Sequence, residues 1–415
     1  MISSRSRSSA TASASRRTFL KTVACSSATA MGLGLGRGKA FSREQDASEI
    51  VQYPIYRAAG SHRELGRQHG EQAKTHIDAH LSYMRKTLEI STQELESRAL
   101  QFRPLFEKHC PHLIDEVSGL AEGAGISFAE ALAVNIRSAL TQAPTNRAGA
   151  GENKSPSGDG CTAFAISREG TADGEVLIGQ NSDMLPAVVD FGYVLHLKPE
   201  SKPELLMWTF GGMIGYHGLN SHGVANFAND LGGGPRPRFA MPHYPLKRLI
   251  LECRTFDEIL PLFQRVPLWA NGNYVLCDET GRILDVEATT AGAEVISDQG
   301  AGFLAHSNHF LSVRYATDAN HALSARDSFD RLRRMTELIK SRQGHTTLDD
   351  VKTWLRTSDR HAGGICRVAK TPDSTDGWTI AGITVASIIA QPAERTLHVA
   401  ASNEPDQPFI EYTME

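Results

Sequence analysis

The sequence lacks the marks of several large protein classes. It has no long basic run beyond its N-terminus, and its formal net charge is only −4. Nucleic acid therefore finds no electrostatic footprint here. There is no G-x-S-x-G turn, and no histidine pairs convincingly with a cysteine, so serine-type and papain-like hydrolases lack support. The six cysteines show no C-x-x-C spacing, which argues against a zinc site. His306 and His309 stand three apart at a strand end with no third ligand, so no metal is expected, and no other cofactor. No repeat of fixed period is present. The first forty residues contain no aspartate or glutamate at all.

That N-terminal stretch resembles a bacterial twin-arginine export signal. Ser15-Arg16-Arg17-Thr18-Phe19-Leu20-Lys21 is followed by a weakly apolar run from Thr22 to Leu35 and by Gly38-Lys39-Ala40. Small residues at 38 and 40 suit signal peptidase, which places a cut near Ala40–Phe41. The run is too short and too rich in Gly and Ser to span a bilayer, so stable membrane insertion is not expected. The protein is expected in the periplasm or secreted. Removing residues 1–40 leaves five cysteines, an odd number that asks for a functional explanation in an exported protein.

Beyond the signal the chain changes character twice. From about Tyr53 to Gln142 it reads as helical: Leu65, His69, Ala73, Ile77, Leu81 and Met84 recur at helical spacing, as do Leu113, Val117, Leu120 and Ala124. Ser127 and Glu130 form a capping-box signature. Ala143 to Gly160 is rich in Gly, Ser, Pro and Asn with no apolar period, and reads as an exposed linker. A strand-like run follows, Cys161 to Ile166, then a polar turn and Val176 to Ile178. Strands are expected at 193–197, 205–210, 224–227, 274–278, 282–287, 378–389 and 396–400. Helices are expected at 244–253, 256–263, 328–340 and 348–355. Separate runs of strands and helices predict an α+β protein.

Cys161 stands where the linker meets the first strand. A thiol attacks an acyl carbon as thiolate, and free cysteine has a pKa of about 8.5, so it needs a base. Cutting the bond before Cys161 would give it a free α-amine, of pKa roughly 8, on the same residue. That amine can take the thiol proton and return it to a leaving amine. Gly160 lacks a side chain, so the thiol can approach its carbonyl, and an N-to-S acyl shift followed by hydrolysis would make the cut. A buried strand cysteine behind a surface loop is the alternative.

Several motifs in order carry a family resemblance. Gly160-Cys161-Thr162 and Gly179-Gln180-Asn181-Ser182-Asp183 are joined by Gly218-Leu219-Asn220-Ser221-His222-Gly223-Val224 and Ala305-His306-Ser307-Asn308-His309-Phe310. Ile365-Cys366-Arg367, Thr384 to Ser387, and the spaced residues from Gly60 to Gly70 complete the set. Together they resemble the acyl-coenzyme A:6-aminopenicillanate (isopenicillin N) acyltransferase family of N-terminal-nucleophile hydrolases. The likeness covers roughly residues 50 to 410. It implies an αββα sandwich, with a helix-rich region 41–160 as α chain or propeptide and residues 161–415 as the β chain. The two chains are expected to stay associated after a cut between Gly160 and Cys161. It implies Cys161 as nucleophile, Asn308 as the side-chain amide facing the oxyanion, and Asp183 as a carboxylate orienting the α-amine. Asn181 is implied in fixing a turn beside Asp183, and Arg367 in supporting the site or binding a substrate carboxylate. Ala163 stands where penicillin-forming fungal members carry a hydroxyl residue, a departure that bears on the substrate and not on the nucleophile.

These residues predict a self-processing cysteine hydrolase or acyltransferase that breaks the amide bond of an N-acylated small molecule through a Cys161 thioester. A lipid amidase or phospholipase-like enzyme of the same fold is one alternative. A binding protein that keeps the fold without catalysis is another.

Overall fold

The chain enters its fold through a strand, not through the helix expected from Tyr53 onward. The computed structural model describes residues 50–141, 160–324, 327–358, 364–368, 382–401 and 404–414. Residues 1–40, expected to be an export signal, and linker residues 143–159 lie outside them. Within these residues the strands are β1 (Ile55–Gly60), β2 (Gly160–Ile166), β3 (Leu177–Met184), β4 (Gly192–Pro199) and β5 (Leu205–Phe210). Next come β6 (His217–Asn220), β7 (Ala225–Asp230), β8 (Gly272–Cys277), β9 (Ile283–Thr289) and β10 (Gly292–Ile296). The last are β11 (Phe303–His306), β12 (Ile383–Gln391), β13 (Thr396–Ala401) and β14 (Ile410–Thr413).

They form two sheets. One has eight strands in the order β1-β4-β5-β6-β7-β8-β9-β10; the other has six, β11-β2-β3-β12-β13-β14. Three hydrophobic layers follow from the alternation of side chains along each strand. Ala163, Ala165, Ile178, Trp208, Phe227 and Val385 pack between the sheets. Phe164, Ile166, Leu177 and Ile389 point the other way, toward helices Ser328–Ser341 and Leu348–Leu355. Leu195, Met207 and Tyr274 face the N-terminal helices together with helices His243–Leu251 and Phe256–Arg265. The result is the expected α+β order of helix, sheet, sheet, helix.

β1 pairs in parallel with β4, so the N-terminal region contributes the edge strand of the larger sheet. Its helices then cover that sheet. The glycines after Gly60 have a packing reason. A Cβ on Gly66 would stand 1.9 Å from the Glu116 carbonyl oxygen, and one on Gly119 would stand 2.0 Å from that of Arg63. Helices His62–Gln72 and Pro111–Ala124 therefore touch backbone to backbone, and no side chain can move aside to make room. The capping box at Ser127 and Glu130 forms as expected.

A buried charge cluster joins this helical region to the later one. Glu116 accepts two hydrogen bonds from Arg248, at 2.7 and 2.8 Å, and faces His62 Nδ1 at 2.9 Å. Burial alone would raise the Glu116 pKa, but Arg248 and His62 outweigh it and hold the group at about 2. A carboxylate depressed in the folded state stabilises above its unfolded pKa and loses that contribution as pH falls through its folded one. Acid unfolding is therefore expected to include a loss of about 3 kcal/mol between pH about 4.5 and about 2. Denaturant unfolding across that range, repeated with Glu116→Gln, checks it: the variant should be less stable at neutral pH and flatter in this window.

Candidate active site

β2 sets the geometry of the site. Residues 161, 163 and 165 share one face of the strand, and Ala163 and Ala165 lie between the sheets. Cys161, the second residue of the strand, thus faces the gap between them. Thr162, Phe164 and Ile166 face the helix Ser328–Ser341 instead. Gly160, placed in the linker by composition, is already the first residue of β2 and is paired with Asp183.

The Cys161 N–H donates to Asn308 Oδ1 at 2.9 Å. Asn308 is fixed on both sides: its backbone N–H donates to Ser328 Oγ and its Nδ2 donates to the Asp230 carbonyl, at 2.8 and 2.9 Å. The amide oxygen, rather than the amide N–H expected at the oxyanion, is what faces the Cys161 nitrogen in the continuous chain.

A residue outside the sequence motifs, Arg331, binds these groups together. Arg331, 1 % exposed, donates through Nη1 to the Cys161 carbonyl at 2.5 Å and to Thr162 Oγ1 at 2.8 Å. Its Nη2 donates to Asn308 Oδ1 at 2.7 Å, and its Nε to Asp327 at 3.1 Å. Its signal was present: Ser328, Arg331, Met335 and Ile339 are the buried stripe of their helix, and an arginine on such a stripe needs partners.

Asp183 lies opposite Gly160 on β3. Its Oδ1 accepts from Thr384 at 2.6 Å, and its Oδ2 faces Arg367 at 3.4 Å. The Oδ2 atom makes no hydrogen bond, so this contact is an ion pair without one. Burial pushes the Asp183 pKa up to about 6 against the pull of Arg367 and Arg331. Arg367 also pairs with Asp327, donating from Nε at 2.8 Å. Burial would raise the Asp327 pKa, but Arg331 and Arg367 hold it far below the usual carboxylate range.

The same guanidinium packs against Gly160, the residue before Cys161. A Cβ on Gly160 would meet it at 2.3 Å, and its ion pairs leave it no easy way to move. Arg367 thus fills the space beside Gly160. Asn181 sits within β3, not in a turn as expected, because Gly179 to Asp183 continue the strand. Its Nδ2 ties to the carbonyls of Leu355 and Ile365 at 2.7 and 3.2 Å.

Cys161 lines a cavity of about 40 Å³ together with Asp183, Asp230, Lys247 and Asn308. The other described thiols are poor nucleophiles: burial pushes Cys110, Cys253 and Cys277 up to about 12 and raises Cys366. All five described cysteines are free. The two histidines considered as metal ligands are engaged elsewhere, His306 with Glu287 at 3.0 Å and His309 with Ser328 Oγ at 2.7 Å.

Comparison with known proteins gives three results. The family model described as acyl-coenzyme A:6-aminopenicillanic acid acyl-transferase matches residues 170–406, a span that begins after Cys161. The 40 kDa form of acyl-coenzyme A:6-aminopenicillanic-acid-acyltransferase from Emericella nidulans is 25% identical over 359 residues, covering 85% of this chain and 94% of the relative. Among solved structures, a variant of conjugated bile acid hydrolase from Clostridium perfringens aligns with TM-score 0.39 and 11% identity, over 61% of this chain and 97% of that one. Penicillin V acylase from Agrobacterium tumefaciens aligns with TM-score 0.35 and 10% identity, over 59% and 75%.

Proposed function

The chain belongs to the acyl-coenzyme A:6-aminopenicillanic acid acyltransferase family, and from that membership we propose that it is a self-processing acylase with Cys161 as nucleophile. The family places it among enzymes of acyl transfer. The observation that carries the finer reading is the seat of Cys161. It stands second in β2 on the face that looks toward the other sheet, lines a cavity, and has its nitrogen held by Asn308 Oδ1 at 2.9 Å.

Self-processing comes first. The Cys161 thiol adds to the Gly160 carbonyl, the C–N bond breaks, and the acyl group passes to sulfur as the nitrogen becomes an amine. Water then hydrolyses the thioester and frees the thiol. In the mature protein that amine takes the thiol proton as Cys161 attacks the amide carbon of an N-acylated small molecule. Asn308 positions the amine through Oδ1, and its remaining amide hydrogen is assigned to the oxyanion. The leaving amine takes the proton, and water or an acceptor amine resolves the thioester. Asp183, Arg367 and Arg331 hold the strand end in register. Export of residues 41–415 by the twin-arginine route belongs to the same reading.

Intact mass of the purified chain tests it. Two fragments meeting at Gly160/Cys161 are expected. Acid quench during turnover of an N-acyl amide should add the acyl mass to the fragment that begins with Cys161. A single uncut chain without that adduct would sink the proposal.

A further inference from the structure

Glu287 holds both ends of the turn that carries Asn308. β11 ends at His306, and residues 307–312 belong to no strand or helix, so side-chain ties decide where Asn308 stands. Glu287 lies on β9 of the eight-stranded sheet and is fully buried. Its Oε1 stands 3.0 Å from His306 Nε2, just before Asn308 in the chain. The same oxygen accepts from the Leu311 N–H at 2.5 Å, and Oε2 accepts from the Ser312 N–H at 3.2 Å, just after it. Burial would raise the Glu287 pKa, but His306 and the two amides hold it below the usual range. Burial would lower the His306 pKa, but Asp285, Glu287 and the Ser307 carbonyl raise it. The hydrogen bonds agree with that charge state. His306 Nδ1 faces the Ser307 carbonyl at 2.9 Å, and a carbonyl only accepts, so that nitrogen carries a proton. An ionised Glu287 only accepts as well, so Nε2 carries the other, and His306 is a buried imidazolium.

A buried ion pair with further hydrogen bonds on its carboxylate resists movement, since every donor it lets go is left unmatched away from water. Asp285 adds negative charge at 3.7 Å from His306 Nε2, with its Oδ1 taken by Asn273 Nδ2 at 2.9 Å; the two amides go to Glu287. We infer that Glu287 is a positioning residue for the reaction: it grips His306 on one side of Asn308 and the two amides on the other, and so fixes the turn that presents the Asn308 side chain to Cys161. The grip comes from the opposite sheet, because β11 is the edge strand of the six-stranded one. This rests on the reading of Asn308 as a working part of the site and adds what holds it there.

Glu287→Gln is the test, because the single oxygen of the amide cannot serve all three donors that the carboxylate serves. Self-cleavage of the freshly synthesised full chain, timed by mass, should slow at least about tenfold. The decisive measurement is a double-mutant cycle with Asn308→Ala. If Glu287 acts through Asn308, adding Glu287→Gln to Asn308→Ala slows the cut no further. Equal losses in both backgrounds would make Glu287 a general support of the fold and overturn the inference, as would an unchanged rate in the single variant. Amide hydrogen exchange is the second readout: protection at 307–312 should fall in Glu287→Gln while that of β2 and β3 holds. A fall of equal size throughout the chain, or none at 307–312, overturns the clamp. His306→Gln, which leaves Glu287 its two amides, is the second arm where Glu287→Gln does not fold, with the same cycle and the same outcomes. A normal rate in Asn308→Ala, or a chain that never cuts itself, would overturn the reading of the site instead, and exchange at 307–312 would then decide the clamp by itself.

Discussion

Replacing Cys161 by alanine is expected to abolish both the cut at Gly160/Cys161 and turnover of N-acyl amides, with turnover falling by at least about 10³-fold. The argument is one of chemistry and not of packing. Alanine removes only the sulfur from the start of β2, where Ala163 and Ala165 already share the face. The variant should therefore fold, appear as one uncut chain, and melt close to the unprocessed protein. No other described thiol can stand in, since burial raises the pKa of all four. Turnover retained by Cys161→Ala would require a different nucleophile. A cut retained by it would require a protease outside the chain.

The second large effect is expected at Arg331. Its guanidinium holds the Cys161 carbonyl, Thr162 Oγ1, Asn308 Oδ1 and Asp327 at once. Methionine in its place would leave those acceptors buried and unmatched, at about 3–5 kcal/mol of stability. Arg367 would still hold Asp327, which limits the damage. Misplacing Asn308 should slow self-cleavage at least about 10²-fold. Arg331→Lys is the second arm, which keeps the test open where Arg331→Met unfolds the site outright. Lysine keeps the charge but cannot reach three acceptors with the planar fork. Cleavage is timed by mass, at a temperature well below each variant's own melting point. A purely structural role would leave the rate per folded molecule unchanged, and that result would remove Arg331 from the positioning of the site.

Much of the architecture was legible from side-chain periodicity. Leu205–Phe210 and Leu348–Leu355 fall on their expected bounds, and the hairpin of β8 and β9 forms where the Glu-Thr-Gly turn indicated. β1 was not legible, because six residues of mixed polarity on a sheet edge carry no period that separates them from a helix start. β3 ran longer than expected because Gly179 to Asp183 are polar yet fully buried. Their hydrogen-bond partners come from distant elements: Ala228 for Gln180, Leu355 for Asn181, Thr384 for Asp183. Local sequence sees the polarity and not the partners. The same limit hid Arg331 and Lys247, which lie 170 and 86 positions beyond Cys161 and meet its surroundings only through the fold. The family motifs single out Cys161 and Asn308 separately, and a hydrogen bond from the Cys161 N–H to Asn308 Oδ1 joins them in the fold.

The parallel pairing of β1 with β4 changes what stability would mean for the processed enzyme. If the bond before Cys161 is cut as proposed, the strand Ile55–Gly60 and the helices that follow it become a separate molecule. The described cysteines form no disulfide to tether it. Unfolding then releases two chains from one, and refolding becomes second order. The midpoint of thermal unfolding should rise with protein concentration after processing and be independent of it before. The mature enzyme would thus behave as an obligate heterodimer encoded by one reading frame, losing stability on dilution and slow to recover once its halves have parted.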